Sequence, residues 1–129
     1  MKKNRPSYVF TSESVSAGHP DKICDQISDA ILDQYLTNDP YARTAIETVA
    51  TTNKIIIAGE VRSTHVIDYD ELEKIARRVV REIGYEQEGF HWKKADIEVL
   101  VHKQSPDIAI GVDSAENKEE GAGDQGIML

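Results

Sequence analysis

Phe10-Thr-Ser-Glu-Ser-Val-Ser-Ala-Gly-His-Pro-Asp-Lys-Ile-Cys-Asp-Gln-Ile-Ser-Asp-Ala-Ile-Leu-Asp-Gln-Tyr-Leu36 is the stretch on which the reading of this chain turns. A β-prone run, Tyr8 to Phe10, leads into a Ser/Gly-rich turn, and at Gly18-His19-Pro20 the pattern changes to that of an acidic amphipathic helix. Proline suits the first helical position, where its missing N–H costs nothing and its φ is already helical. His19 is thereby expected at the helix mouth. Ile23, Ile27, Ala30, Ile31 and Gln34 recur at steps of three and four, the spacing of a core-facing stripe. Asp21, Asp25 and Asp29 stack on another face, where like charges repel by a few tenths of a kcal/mol per pair. Two readings stand: a cation relieves that repulsion, or the acids simply face water.

Working outward, the 129 residues are one domain's worth, with 40% hydrophobic and 29% charged residues, a globular balance. No apolar run approaches the roughly 20 residues of a membrane span, and polar residues follow the basic Met1-Lys-Lys-Asn-Arg5 where a signal peptide would place its apolar segment. A cytoplasmic protein without membrane partners is expected. The net charge of −8 argues against nucleic-acid binding as the main activity, yet allows a nucleotide whose phosphates are bridged by Mg²⁺. Cys24 is the single cysteine, which excludes an intramolecular disulfide and a cysteine-based zinc site, and reads as a partly buried filler.

After the helix, Thr37-Asn-Asp-Pro40 combines turn formers with a helix-stopping proline. Arg43 to Thr52 and Ile55 to Arg62 are rich in β-branched residues and read as a hairpin. Each strand carries one acid, Glu47 and Glu60. A loop at Asn53-Lys54 sets Glu47 directly opposite Glu60, a pairing that calls for a cation or donor between them; a loop at Thr52-Asn53 sets Ala45 opposite Glu60 instead. Asp70 to Ile83 is the clearest helix, with Asp70 and Glu73 placed as a capping box, Leu72, Ile75, Ala76, Val79 and Ile83 as the buried stripe and Gly84 as the stop. Tyr85 to Asp96 reads as an irregular connection and Ile97 to Lys103 as a last strand. The order β-α-β-β-α-β implies an α+β fold in two layers, helices on one face of a small mixed sheet, the other face left for a partner. From Gln104 onward the periodicity ends, and a loop of more than about 15 residues is usually functional or disordered.

Six blocks now stand in order: Phe10-Thr-Ser-Glu-Ser-Val, Gly18-His-Pro-Asp-Lys-Ile, Asp25-Gln-Ile-Ser-Asp, Gly59-Glu60, Lys103-Gln-Ser-Pro-Asp-Ile108 and Gly121-Ala-Gly-Asp-Gln-Gly126. Together they resemble the N-terminal part of methionine adenosyltransferase, also called S-adenosylmethionine synthetase, over nearly the whole chain. The resemblance implies a first repeat over residues 1–103, an active-site loop and the start of a second repeat over 104–129, and pairing through flat sheets into homodimers or homotetramers. It implies a reaction of ATP with L-methionine in which the thioether sulfur attacks the ribose 5′ carbon, triphosphate leaves and is then hydrolysed, with Mg²⁺ and K⁺ assisting. Carried over by motif, His19 contacts the leaving triphosphate and is the catalytic group. Asp21 is a Mg²⁺ ligand and Glu47 lies near K⁺. Glu60 and Gln104 hold methionine, Asp124 contacts the adenosine or methionine portion, and Gln104, Ser105, Pro106, Asp107, Ile108, Gly111 and Asp113 belong to a mobile loop.

Ala17 departs from the family's usual Glu, a small local change. The family's second and third repeats, with their phosphate-holding lysines and arginine, are expected beyond Leu129. An expressed fragment, a truncated reading frame and one piece of a split enzyme all fit, and such a piece is expected to be inactive alone. A non-catalytic subunit that docks onto a full-length homologue is the alternative.

Overall fold

The computed structural model describes residues 7–104, so the expectations for Asp124 and for Ser105, Pro106, Asp107, Ile108, Gly111 and Asp113 lie outside the described residues. Helix α1 (Pro20–Asn38) is capped by His19 and starts at Pro20, as the motif requires. It buries Ile23, Ile27, Ile31 and Tyr35, four residues at four-residue steps. Burying such side chains contributes about 1.5–3 kcal/mol each, so this stripe fixes which side of the helix meets the sheet. Asp21, Asp25 and Asp29 face solvent.

Strands β1 (Arg43–Thr51) and β2 (Lys54–Arg62) form the expected hairpin around Thr52 and Asn53, the latter in a left-handed conformation (φ 51°) that asparagine tolerates. The register pairs Thr51 with Lys54 and Ala45 with Glu60. The direct opposition of Glu47 and Glu60 is therefore corrected: Glu47 faces Ala58, and the two acids lie diagonally on one face. The two-residue turn decides this, because moving it by one residue changes every pair.

Helix α2 (Tyr69–Ile83) is capped by Asp68, not Asp70; the Asp68 carboxylate accepts from the Glu71 amide at 2.8 Å. Glu73 instead binds the Arg77 guanidinium at 2.6 and 2.9 Å, so the capping box is not formed. Gly84 ends the helix in the left-handed region (φ 102°). The connection contains a two-residue ribbon, β3 (Glu86–Gln87) with β4 (Phe90–His91), and β5 (Asp96–Lys103) then runs parallel to β2.

The main sheet has the order β1-β2-β5, antiparallel then parallel. Both helices cover one face, where Ile46, Ile55, Ile57, Val61 and Val101 join the helical stripes in one core. The α+β two-layer arrangement is as expected. The opening strand is not: Tyr8, Val9 and Phe10 are 89%, 92% and 86% exposed and form no ladder. β-propensity becomes a strand only against a partner backbone, and the described residues offer this segment none.

Candidate functional site

The turn from Ser16 to His19 is built to hold the head of α1. The His19 amide donates to the Ser16 carbonyl at 2.9 Å, and the Gln26 side chain reaches back to the carbonyl of Ala17, nine residues earlier, at 3.3 Å. The Tyr85 hydroxyl, from just beyond α2, donates to the Gly18 carbonyl. The His19 Nδ1 accepts the Asp21 amide at 3.2 Å, so in the neutral ring Nε2, the nitrogen not engaged by the backbone, carries the proton. The ring is 44% exposed, and the Asp21 carboxylate, 79% exposed, stands 3.7 Å from Nδ1. An N–H donor at the positive dipole end of a helix is suited to an oxyanion. Next to it, a groove of about 500 Å³ runs between Pro20, Ile23, Thr51, Thr52, Tyr85 and Phe90.

Glu60 and Gln104 are brought together at the other end of the sheet. Glu60 pairs with His102 of β5, and the Gln104 amide, just past that strand, donates to the Val61 carbonyl at 3.0 Å. The Gln104 Oε1 is buried with no hydrogen-bond partner among the described residues, an acceptor that remains to be satisfied. Glu60 owes its position to Gly59, whose φ is 140° and where a Cβ would lie 1.9 Å from the Ala45 carbonyl oxygen; only glycine permits that approach. Glu47 lies mid-strand on the same uncovered face, exposed, one diagonal step from Glu60.

These groups do not converge. The groove beside His19 borders Thr51 and Thr52 at the hairpin tip, whereas Glu60 lies six residues beyond Lys54, about 20 Å along the strand at 3.3 Å per residue. Among the described residues no three His, Cys, Asp or Glu side chains are disposed to hold a metal ion. The single exposed carboxylate of Asp21 fits the way Mg²⁺ is held, by one or two carboxylates with water and phosphate completing its shell. Burial pushes the Cys24 thiol up, which keeps it protonated and agrees with a packing role.

Tyr85, Gln26 and Asp39 were not singled out in the sequence. Asp39 is 7% exposed and pins the α1-β1 turn to the β2-α2 turn: its carboxylate accepts from the Tyr41 amide at 3.0 Å, the Ser63 hydroxyl at 2.9 Å and the Thr64 amide at 2.8 Å. The Thr64 amide, with the Ser63 hydroxyl and Tyr41 amide, holds this carboxyl below the usual carboxylate range. Asn-Asp-Pro read only as a turn. The partners that make Asp39 a knot lie 24 and 25 residues away.

Against known proteins, the model of the S-adenosylmethionine synthetase N-terminal domain matches residues 7–106. The chain belongs to the S-adenosylmethionine synthetase family. It is 65% identical over 125 residues to the S-adenosylmethionine synthase of Parvibaculum lavamentivorans, covering 97% of this chain and 32% of that protein. It is 63% identical over 122 residues to S-adenosylmethionine synthase 2 of Rhodospirillum rubrum, with 95% and 31% covered. The structure of an unusual S-adenosylmethionine synthetase from Campylobacter jejuni superposes with a TM-score of 0.67 at 38% identity, over 79% of this chain and 28% of that one. The chain thus spans about a third of the length of the curated relatives it matches. The stretch that matches the S-adenosylmethionine synthetase domain takes in both ends of the sheet, from the His19 turn to Gln104. No helix among the described residues is long and apolar enough to cross a membrane.

Proposed function

We propose that this chain supplies the first repeat of a methionine adenosyltransferase that joins ATP and L-methionine into S-adenosylmethionine in the cytoplasm. The observation that carries the reading is the His19 turn inside the matched domain, with Nδ1 held by the Asp21 amide and Nε2 not engaged by the backbone at a helix N-terminus. In the reaction the methionine sulfur forms a bond to the ribose 5′ carbon while that carbon's bond to triphosphate oxygen breaks, the electron pair leaving with the triphosphate. No proton transfer to sulfur is required, so rate comes from alignment and from donors placed where negative charge develops. His19 donates from Nε2 to the departing oxygen. Asp21 would hold Mg²⁺ and Glu47 would lie near K⁺; these ions, when bound, neutralise charge building on the triphosphate. The Glu60 carboxylate takes the methionine ammonium, the Gln104 amide its carboxylate end, and Asp124 the adenosine or methionine portion. Residues 104–113 close over the reactants as a gate that excludes water.

Since His19 and Glu60 stand at opposite ends of the sheet, two copies are needed to complete a site, one giving its helix mouth and the other its strand ends. Pairing through the uncovered sheet face, where Val49 and Leu100 are exposed, yields a homodimer that can associate further into a homotetramer. The same separation also favours a second reading, a non-catalytic subunit docked onto a full-length homologue. Steady-state kinetics on an assembly containing these residues decide between them. His19→Ala is expected to lower kcat by about 10²–10³-fold, the cost of losing one charge-stabilising donor, with methionine KM little changed. Gln104→Ala is expected to raise methionine KM. The opposite assignment of effects would refute these roles, and unchanged turnover in both variants would favour the docking subunit.

A further inference from the structure

The geometry points to Tyr85 as a positioning residue that aims His19 by clamping the Gly18–His19 peptide unit. This rests on the reading of His19 as the contact to the leaving triphosphate. A peptide unit is planar, so holding both its polar groups fixes its plane. Here the carbonyl side accepts the Tyr85 hydroxyl and the N–H side donates to the Ser16 carbonyl at 2.9 Å. With that plane set and the His19 carbonyl accepting the Ile23 amide at 3.0 Å, the peptide units on both sides of the His19 Cα are held, which fixes the direction of its Cα–Cβ bond, and the Asp21 amide holds the ring through Nδ1 at 3.2 Å. Nε2 is left as the ring nitrogen that the backbone does not engage.

Tyr85 is itself immobilised at three places. Its amide donates to the Val80 carbonyl at 3.2 Å in the helix-ending turn, its carbonyl accepts the Trp92 amide at 3.0 Å, and its ring meets Phe90 edge-on with centroids 5.2 Å apart. The hydroxyl is thus delivered from just past the helix-ending turn, by a residue whose backbone is tied to Val80 of α2 and to Trp92. The fit is close on the other side as well, since a Cβ on Gly18 would sit 3.2 Å from the Tyr85 oxygen. A purely structural tether between α1 and α2 would not need to land on the one carbonyl that precedes the N-cap histidine.

The test uses Tyr85→Phe, which keeps the ring and its packing and removes the donor, and Gly18→Ala, which disturbs the same contact from the other side. On the full 129-residue chain, amide hydrogen exchange at His19 and Asp21 is expected to accelerate about fivefold or more in both variants, with Ile27, Ile31 and Val80 unchanged. In an assembly that turns over ATP and methionine, Tyr85→Phe is expected to lower kcat about tenfold with methionine KM unchanged. Unaltered exchange at His19 and Asp21, exchange accelerated uniformly over both helices, or a rise in methionine KM at constant kcat would each overturn the clamp. Faster exchange at the turn together with an unaffected His19→Ala enzyme would leave the clamp standing and remove the catalytic reading of His19.

Discussion

Two residues that carry no catalytic chemistry show how local physics sets the frame for the site. Asp39 is buried with three donors on its carboxylate. Because its folded-state carboxyl is held below the ordinary range, it stabilises the fold above the unfolded value of about 3.9, and this contribution disappears as pH falls through the folded value. Thermal melts of Asp39→Asn should therefore lie below the unsubstituted protein at pH 7, and the gap should close as pH falls below about 4; a gap independent of pH would contradict this. Gly59 has no room for a side chain, with φ at 140° and the Ala45 oxygen 1.9 Å from a Cβ position. Gly59→Ala combines left-handed strain with overlap against backbone, each worth about 1–3 kcal/mol. Its urea midpoint is expected to fall accordingly, and Glu60 to shift with it.

At the scale of elements, α1 is both scaffold and part of the candidate site. Its apolar stripe seats it on β1, with the Ser28 and Thr48 hydroxyls 2.8 Å apart across the contact, and that seating decides where His19 stands. Ile27 is fully buried, so Ile27→Ala should cost about 2–5 kcal/mol, transfer plus cavity, measured by denaturant unfolding at unchanged m. The stripe, the Pro20 start and the hairpin were legible because each is local: periodicity, a fixed proline φ and β-branched composition speak for themselves. The α2 cap was not. Asp68 and Asp70 are both competent, and the geometry of the chain entering the helix selects Asp68.

At the scale of the whole molecule, the consequence is a sheet with one face packed under both helices and one face that no element among the described residues covers. Ala45, Glu47, Val49, Ala58, Glu60, Leu100 and His102 share the open side, with Lys54 tied to Asp96 at 2.6 Å and to Glu98 at 3.0 Å at its hairpin end. If copies pair through this face, Leu100→Glu places unpaired charge in the interface and should raise the dimer dissociation constant at least tenfold, or about 1.4 kcal/mol. Sedimentation equilibrium against the unsubstituted chain reads this directly. An unchanged constant would move the interface elsewhere. Tyr8 to Phe10 belong to the same scale: strand-forming in composition, they lie exposed, since ladder bonds require a second backbone.

The sequence by itself determined the α+β class, the His19 helix mouth, the hairpin and the family blocks, because helical periodicity, cap chemistry and motif spacing are properties of short stretches of chain. Only the tertiary structure decided the strand register, the diagonal relation of Glu47 and Glu60, the Asp39 knot, the Tyr85–Gly18 hydrogen bond and the placing of the His19 turn beside the hairpin tip, away from Glu60. Each of those depends on which distant backbone groups meet, and a single sequence carries no record of that until its core has closed.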